Sequence, residues 1–179
     1  MATLHTRFRP IEVLTLGVIT PIILLMTSLK EELRQAKGFR SLPEEAFLNV
    51  ARTEAVLSDG LDRVLGPHGL SLTQYNVLRM LRGAGSDGLC RNEIRDRLIT
   101  RMPDVSRLLD RMEAAGLVHR VRSADDRRLV NTTLTERGSA LVEQLDADVA
   151  AVHARQLGHL DETQLRSLIE LLSLARDPG

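Results

Sequence analysis

Tryptophan is absent from this 179-residue chain, which has one tyrosine, three phenylalanines and a single cysteine. With so few rings, packing falls to Leu, Val, Ile, Ala and Met. The length is enough to bury a core as one domain, or one domain with a helical extension. One cysteine excludes an internal disulfide and is consistent with the cytosol, so a cytoplasmic location is expected. Lysine is nearly missing as well, with Lys30 and Lys37 set against 22 arginines. No HExxH, GxSxG, phosphate-loop or GxGxxG pattern occurs, and the acids and histidines show no spacing that implies a shared site. An enzyme is therefore not expected.

What is present is concentrated in residues 91–138. Glu93 stands three residues past Cys90, where its carboxylate reaches back to the free amides of a helix start. Ile94 and Leu98 then give a short amphipathic helix. Pro103 suits the first turn of a second helix, where its missing N–H costs nothing, so that helix is expected to start near Met102. Val105, Leu108, Leu109 and Met112 recur at i, i+3, i+4 and i+7 and bury one face, while Asp104, Arg107 and Arg111 share the other. Gly116 ends the helix at a position that favours a left-handed cap. Residues 117–122 alternate at the period of a strand and residues 129–133 form a second β-rich run. Between them, residues 123–128 are a polar hairpin tip carrying Arg127 and Arg128 side by side.

Helix, helix, strand, tip and strand in this order spell a winged helix-turn-helix, a device for reading double-stranded DNA. The expected fold is mainly α with a small β-wing, flanked by N- and C-terminal dimerisation helices. The zero net charge conceals a matching polarity: +3 over residues 1–42, −2 over 43–90, +3 over 91–137 and −4 over 138–179. Positive charge thus gathers where the groove reader lies. Arginine suits bidentate contacts to guanine and phosphate, although genomic base composition alone also enriches it.

Asp126-Arg127-Arg128, followed by Leu134-Thr135-Glu136-Arg137-Gly138, resembles the wing and exit of the MarR family of bacterial transcriptional regulators. Residues 103–118 are similar to that family's recognition helix and first wing strand, and the similarity runs in order over residues 43–176. The resemblance implies a homodimer with the first helix and the last two intertwined between subunits. It also implies that Asp126 and Arg128 are the wing's motif positions and that Asp110 pairs with Arg128 to hold the wing, leaving Arg127 as the freer groove contact.

The remaining helices follow from local signals. Ser41-Leu42-Pro43-Glu44-Glu45 is a helix start, after which Phe47, Val50, Ala51, Leu57, Leu61, Val64 and Leu65 run down one face until Gly66-Pro67. Ser71 to Gln74 is a capping box, with Leu70 and Tyr75 as its staple, and its helix ends between Gly83 and Gly88. Thr135 caps a long helix through Leu141, Leu145, Val149 and Val152. Asp161 to Gln164 is a second capping box, with Leu160 and Leu165 as staple and Leu168, Ile169 and Leu172 as stripe. These flanking helices have apolar faces that a reader module cannot cover, so a homodimer is expected. The domain expectation is an N-terminal extension over 1–26, N-terminal dimerisation helices over 27–66, the winged module over 67–134 and C-terminal dimerisation helices over 135–179.

Residues 11–26 are an apolar run broken by Glu12 and Pro21 and preceded by Arg7 and Arg9. The run is superficially signal-like, yet it is too short and interrupted for a membrane span and has no clear cleavage site. A start codon at Met26 is the favoured reading; an arm packed on a partner subunit and a membrane anchor are the others. No membrane partner is expected.

For DNA, Ser106 and Arg107 are expected at base edges and Arg111 nearer the backbone, with Arg122, Arg127 and Arg128 serving the wing. Asp104 either accepts from a cytosine amine or simply suits the positive end of a helix. The Arg127–Arg128 tip has the plainer reading of a solvated turn. The rival function is a winged helix used as a protein-interaction module, which would show apolar residues where Asp104, Arg107 and Arg111 stand.

The family resemblance implies a small aromatic or phenolic effector in a cleft between the dimer helices and the reader. Asn49, Arg52 and His68 are polar positions near it, each more simply read as surface. The peroxide-sensing subgroup has a cysteine near the start of its first dimer helix, and none stands there. Cys90 opens a reader helix, where the dipole lowers a thiol pKa, or is merely structural. His153 and His159, six apart, would diverge by about 120° on a helix, so no metal site is expected. The urate-type relatives carry a tryptophan that this chain lacks. No cofactor is expected.

Overall fold

The computed structural model describes residues 28–100, 104–122 and 130–177, so the readings of residues 1–26 and of the wing tip lie outside it. The chain forms two units, one through Ala51 and one from Arg52 onward. In the first, Ser28 caps a short helix α1 (Leu29–Glu32) by a capping box with Glu31. Helix α2 (Leu42–Leu65) opens as expected at Ser41, whose hydroxyl accepts from the Glu44 amide at 3.3 Å while the Glu44 carboxylate accepts from the Arg40 amide at 2.6 Å.

The second unit takes up the rest of α2, which a 3-10 turn (Gly66–His68) ends. Helix α3 (Leu72–Ala84) follows, with Ser71 and Gln74 bonding reciprocally across its first turn. A further 3-10 turn (Gly85–Asp87) leads to β1 (Leu89–Cys90), α4 (Arg91–Arg97), α5 (Val105–Ala114), β2 (Val118–Arg122), β3 (Val130–Leu134), α6 (Glu136–Leu157) and α7 (Glu162–Arg176). The three strands form an antiparallel sheet in the order β1-β3-β2, with Leu89 opposite Thr132 and Val118 opposite Leu134. Strand β1 was not expected, because two residues are too few to display a period.

The core is aliphatic apart from Tyr75. Leu65, Val77, Leu78 and Leu81 meet Ile94, Leu108, Met112, Val118, Val142 and Leu145, all buried. Each such side chain contributes roughly 1.5–3 kcal/mol by leaving water. Within the second unit Leu61 and Leu65 of the α2 stripe are buried in this core; within the first, Phe47 and Val50 are exposed. Helix α7 has no buried residue, and Ile169, Leu171 and Leu174 are each 65–70% exposed. Among the described residues no helix is long and apolar enough to cross a membrane.

Helix α6 joins the sheet through a close approach. Thr135 accepts from the Gly138 amide at 3.0 Å, as the N-cap, and its hydroxyl donates to the Gly116 carbonyl at 2.7 Å. A Cβ at Gly138 would collide with the Leu117 carbonyl oxygen. The Leu-Thr-x-x-Gly signal is therefore a packing requirement: Thr135 starts the helix and Gly138 lets it lie against the strand. Gly116 has φ +68°, the left-handed cap expected for it.

Candidate nucleic-acid interface

The helix-turn-helix is α4 followed by α5. Cys90 precedes α4, and its amide donates to the Glu93 carboxylate at 2.8 Å, as the spacing predicts. That bond, together with the positive charge of Arg97, holds the Glu93 carboxyl below the usual carboxylate range. Ile94 seals α4 to the core. Cys90 is half-buried and lines, with Arg91, Ser106 and Arg120, an open cleft of about 440 Å³.

The recognition helix α5 starts later than expected. Asp104 is its N-cap, with φ −128° and ψ 73°, and its carboxylate accepts from the Arg107 amide at 3.0 Å. Met102 and Pro103, where the start was expected, lie outside the described residues. An Asp that caps through its side chain defines the boundary more sharply than a proline that merely tolerates the first turn. The same carboxylate pairs with the Arg107 guanidinium at 3.0 Å. Asp104 is thus occupied by its own helix, which favours the helix-end reading over a cytosine contact.

Val105, Leu108, Leu109 and Met112 face the core and are all buried, as their spacing predicts. On the outer face Arg107 is 85% exposed and Arg111 is exposed, while Ser106 is half-buried and lies 3.5 Å from an Arg91 guanidinium nitrogen. At the far end of β2, Arg122 is exposed and pairs in register with Val130. Asp126, Arg127 and Arg128 lie outside the described residues.

The expected Asp110–Arg128 pair falls on Arg128, outside the described residues; among the described residues Asp110 has another partner. Asp110 bonds the guanidinium of Arg120 in β2, whose Nε also lies 3.3 Å from the Glu113 carboxylate. The Arg120 amide donates to Glu113 at 3.1 Å. Sequence reasoning missed Arg120, reading it only as one position of an alternating strand. Its signal, an arginine facing two acids one helical turn apart, exists only once α5 and β2 are packed together.

A second cleft, of about 470 Å³, is lined by Asn76, Arg79, Met80, Arg82, Arg97 and Ile99. It combines guanidinium groups with apolar side chains at one place. The polar positions read as cleft neighbours lie on the surface in two cases: His68 is exposed and the exposed Asn49 donates to the Glu45 carbonyl at 2.9 Å. His153 is on α6 and His159 lies beyond its end, so the two do not share a helix.

The family model described as MarR family matches residues 68–129, the span from the turn after α2 into the wing. The HTH-type transcriptional repressor Rv2887 of Mycobacterium tuberculosis is 35% identical over 121 residues, which cover 68% of this chain and 86% of that protein. The chain belongs to the MarR family. This MarR regulator is a DNA-binding transcription factor and not an enzyme. Its fold matches the crystal structure of a MarR transcription factor from Planctomyces limnophilus at 39% identity and a TM-score of 0.58, over 76% of this chain and 99% of that one. The S. aureus MepR–DNA complex matches at 25% identity and a TM-score of 0.67, over 75% and 97% of the respective chains.

Proposed function

We propose that the protein is a ligand-responsive repressor that binds an inverted-repeat operator as a homodimer. The observation that carries this reading is the two-sidedness of α5: its apolar face is buried without remainder, and Arg107 and Arg111 stand out from the other. An interaction module would present apolar side chains there. Arg107 is assigned to a guanine edge, with Ser106 beside it, and Arg111 to the phosphate backbone. Arg122, Arg127 and Arg128 serve the wing, where a narrow minor groove concentrates negative potential.

Dimerisation is supported by the exposed apolar side chains of α2 and α7, which contact with a second copy would take out of water. A two-fold dimer presents its recognition helices about one turn of DNA apart, which requires operator half-sites of the same spacing. The cleft around Arg79 and Met80 is assigned to the effector, a small aromatic or phenolic acid whose carboxylate meets a guanidinium while its ring lies on Met80 and Ile99. Such a regulator acts in the cytoplasm.

The test is titration of the purified protein against its own upstream intergenic DNA by fluorescence anisotropy at two salt concentrations, with an unrelated duplex as control. Tight, salt-sensitive binding that prefers its own DNA is expected. Equal weak binding to both duplexes refutes the reading.

A further inference from the structure

The recognition helix carries two acids, Asp110 and Glu113, one turn apart on the side that faces β2, and both engage Arg120. The contact has three parts. One guanidinium nitrogen bonds Asp110, the Nε approaches Glu113 at 3.3 Å, and the main-chain amide of Arg120 donates to the other Glu113 oxygen at 3.1 Å. The Arg120 side chain is 28% exposed, so most of it lies within the junction between helix and strand.

Two physical problems of a groove reader meet at this point. Val105, Leu108, Leu109 and Met112 hold α5 to the core by burial, which is non-directional and resists sliding or rolling of a helix only weakly. Hydrogen bonds are directional, and Arg120, with its guanidinium bonded to Asp110 and its main-chain amide bonded to Glu113 one turn on, restricts both the roll of the helix and its height over the sheet. The second problem is charge. Two unpaired carboxylates on a helix that enters a groove would repel phosphate, and an opposite charge within bonding distance removes that cost.

We infer that Arg120 is a positioning residue that determines specificity: it sets the roll of α5 so that Arg107 meets its base, and it neutralises Asp110 and Glu113 without itself touching DNA. Because β2 leads into the wing, the same side chain ties the base of the wing to the recognition helix. The inference rests on the reading of α5 as the base-reading element.

The experiment compares full-length wild type with Arg120→Gln and Arg120→Lys, and with the triple variant that adds Asp110→Asn and Glu113→Gln. Each is titrated by anisotropy against its own upstream DNA, single-base-pair variants of it and an unrelated duplex over a range of salt, with Tm measured without DNA. Arg120→Gln is expected to lower the preference for its own DNA by about tenfold or more, since one misaligned bidentate contact is worth about 1–3 kcal/mol, while the slope of log K against log salt stays unchanged. Arg120→Lys, which keeps the charge and loses the planar fork, recovers general affinity but not preference. The triple variant likewise regains binding to the unrelated duplex and remains unselective.

A salt slope reduced by about one in Arg120→Gln would make Arg120 a phosphate contact and overturn the inference. So would an unchanged preference. If Arg120→Gln unfolds, Arg120→Lys decides: wild-type selectivity in that variant overturns the inference, and lost selectivity at an unchanged Tm supports it. Wild type that fails to prefer its own DNA would remove the base-reader reading and this inference with it, whereas a selective wild type with an equally selective Arg120→Gln removes this inference alone.

Discussion

Arg82 and Asp146 meet in a two-pronged pair, Nη1 to Oδ2 at 2.6 Å and Nη2 to Oδ1 at 3.1 Å, that ties α3 of the reader to α6. The hydrogen bond from Arg82 is the main cause that lowers the Asp146 pKa; burial opposes it, and the charges of Arg82 and Arg79 add to the lowering. A carboxyl whose folded pKa is depressed stabilises the protein above its unfolded value, near 3.9 for Asp, and loses that contribution as pH falls through the folded value. Both side chains are roughly one-third to one-half exposed, so solvent screening limits the pair to about 1 kcal/mol or less. Asp146→Asn is expected to lower Tm by at most about 2–4 °C at neutral pH, and by less in high salt. Wild type and variant should converge below the folded pKa, and a Tm difference that persists into strong acid would rule out the pair as its source.

Two glycines separate close approach from mere helix interruption. At Gly138 a Cβ meets the Leu117 carbonyl oxygen, so Gly138→Ala must push α6 away from the sheet and is expected to cost about 1–3 kcal/mol. At Gly83, inside α3, nothing lies within 4 Å of an added Cβ, and Gly83→Ala is expected to stabilise by about 0.5–1 kcal/mol. Urea denaturation of the two variants should move the midpoint in opposite directions.

Thr135 both caps α6 and donates to the carbonyl of Gly116. Thr135→Ala removes the acceptor for the Gly138 amide and the donor to the end of α5's own loop, and is expected to cost about 1–2 kcal/mol. Thr135→Ser retains the hydroxyl and should recover most of the loss. Equal destabilisation by both would assign the effect to the methyl group instead.

The two outer arginines of α5 should separate in DNA binding. Arg107→Ala is expected to cost about 1–3 kcal/mol on its own operator and to relax preference at one base pair. Arg111→Ala, like Arg127→Ala in the wing, is expected to weaken all duplexes alike and to reduce the salt slope by about one. Uniform loss in all three variants, with base preference intact, would withdraw the assignment of Arg107.

If α7 joins two subunits, Ile169→Asp together with Leu174→Asp should give monomers in sedimentation analysis and weaken operator binding sharply, while far-ultraviolet circular dichroism stays close to wild type. Dimers that survive both substitutions would place the interface elsewhere. Both positions are exposed among the described residues, so their replacement removes little of the packing seen there.

The features legible in the sequence share one property, that cause and effect lie within a few residues. The capping boxes at Ser71, Cys90 and Asp161 join positions three apart, and the inward stripe of α5 follows from helical geometry. The start of α5 was misplaced because Pro103 and Asp104 compete as boundary signals, and only the backbone angles at Asp104 reveal which one caps. Strand β1 escaped because it exists through its partner β3 rather than through its own two residues.

The amino-acid sequence by itself determined the order of helices and wing strands, the aliphatic character of the core and the arginine-bearing outer face of α5, because propensity, capping and periodicity act over short separations. Only the tertiary structure decided that Arg120 takes both acids of the recognition helix, that Arg82 reaches Asp146 across 64 positions, and that Ile169, Leu171 and Leu174 of α7 are exposed among the described residues. Those outcomes depend on the distance and angle between packed elements. Many arginines and acids alternate along this sequence, and the choice among possible pairs is made by three-dimensional packing, which no local pattern encodes.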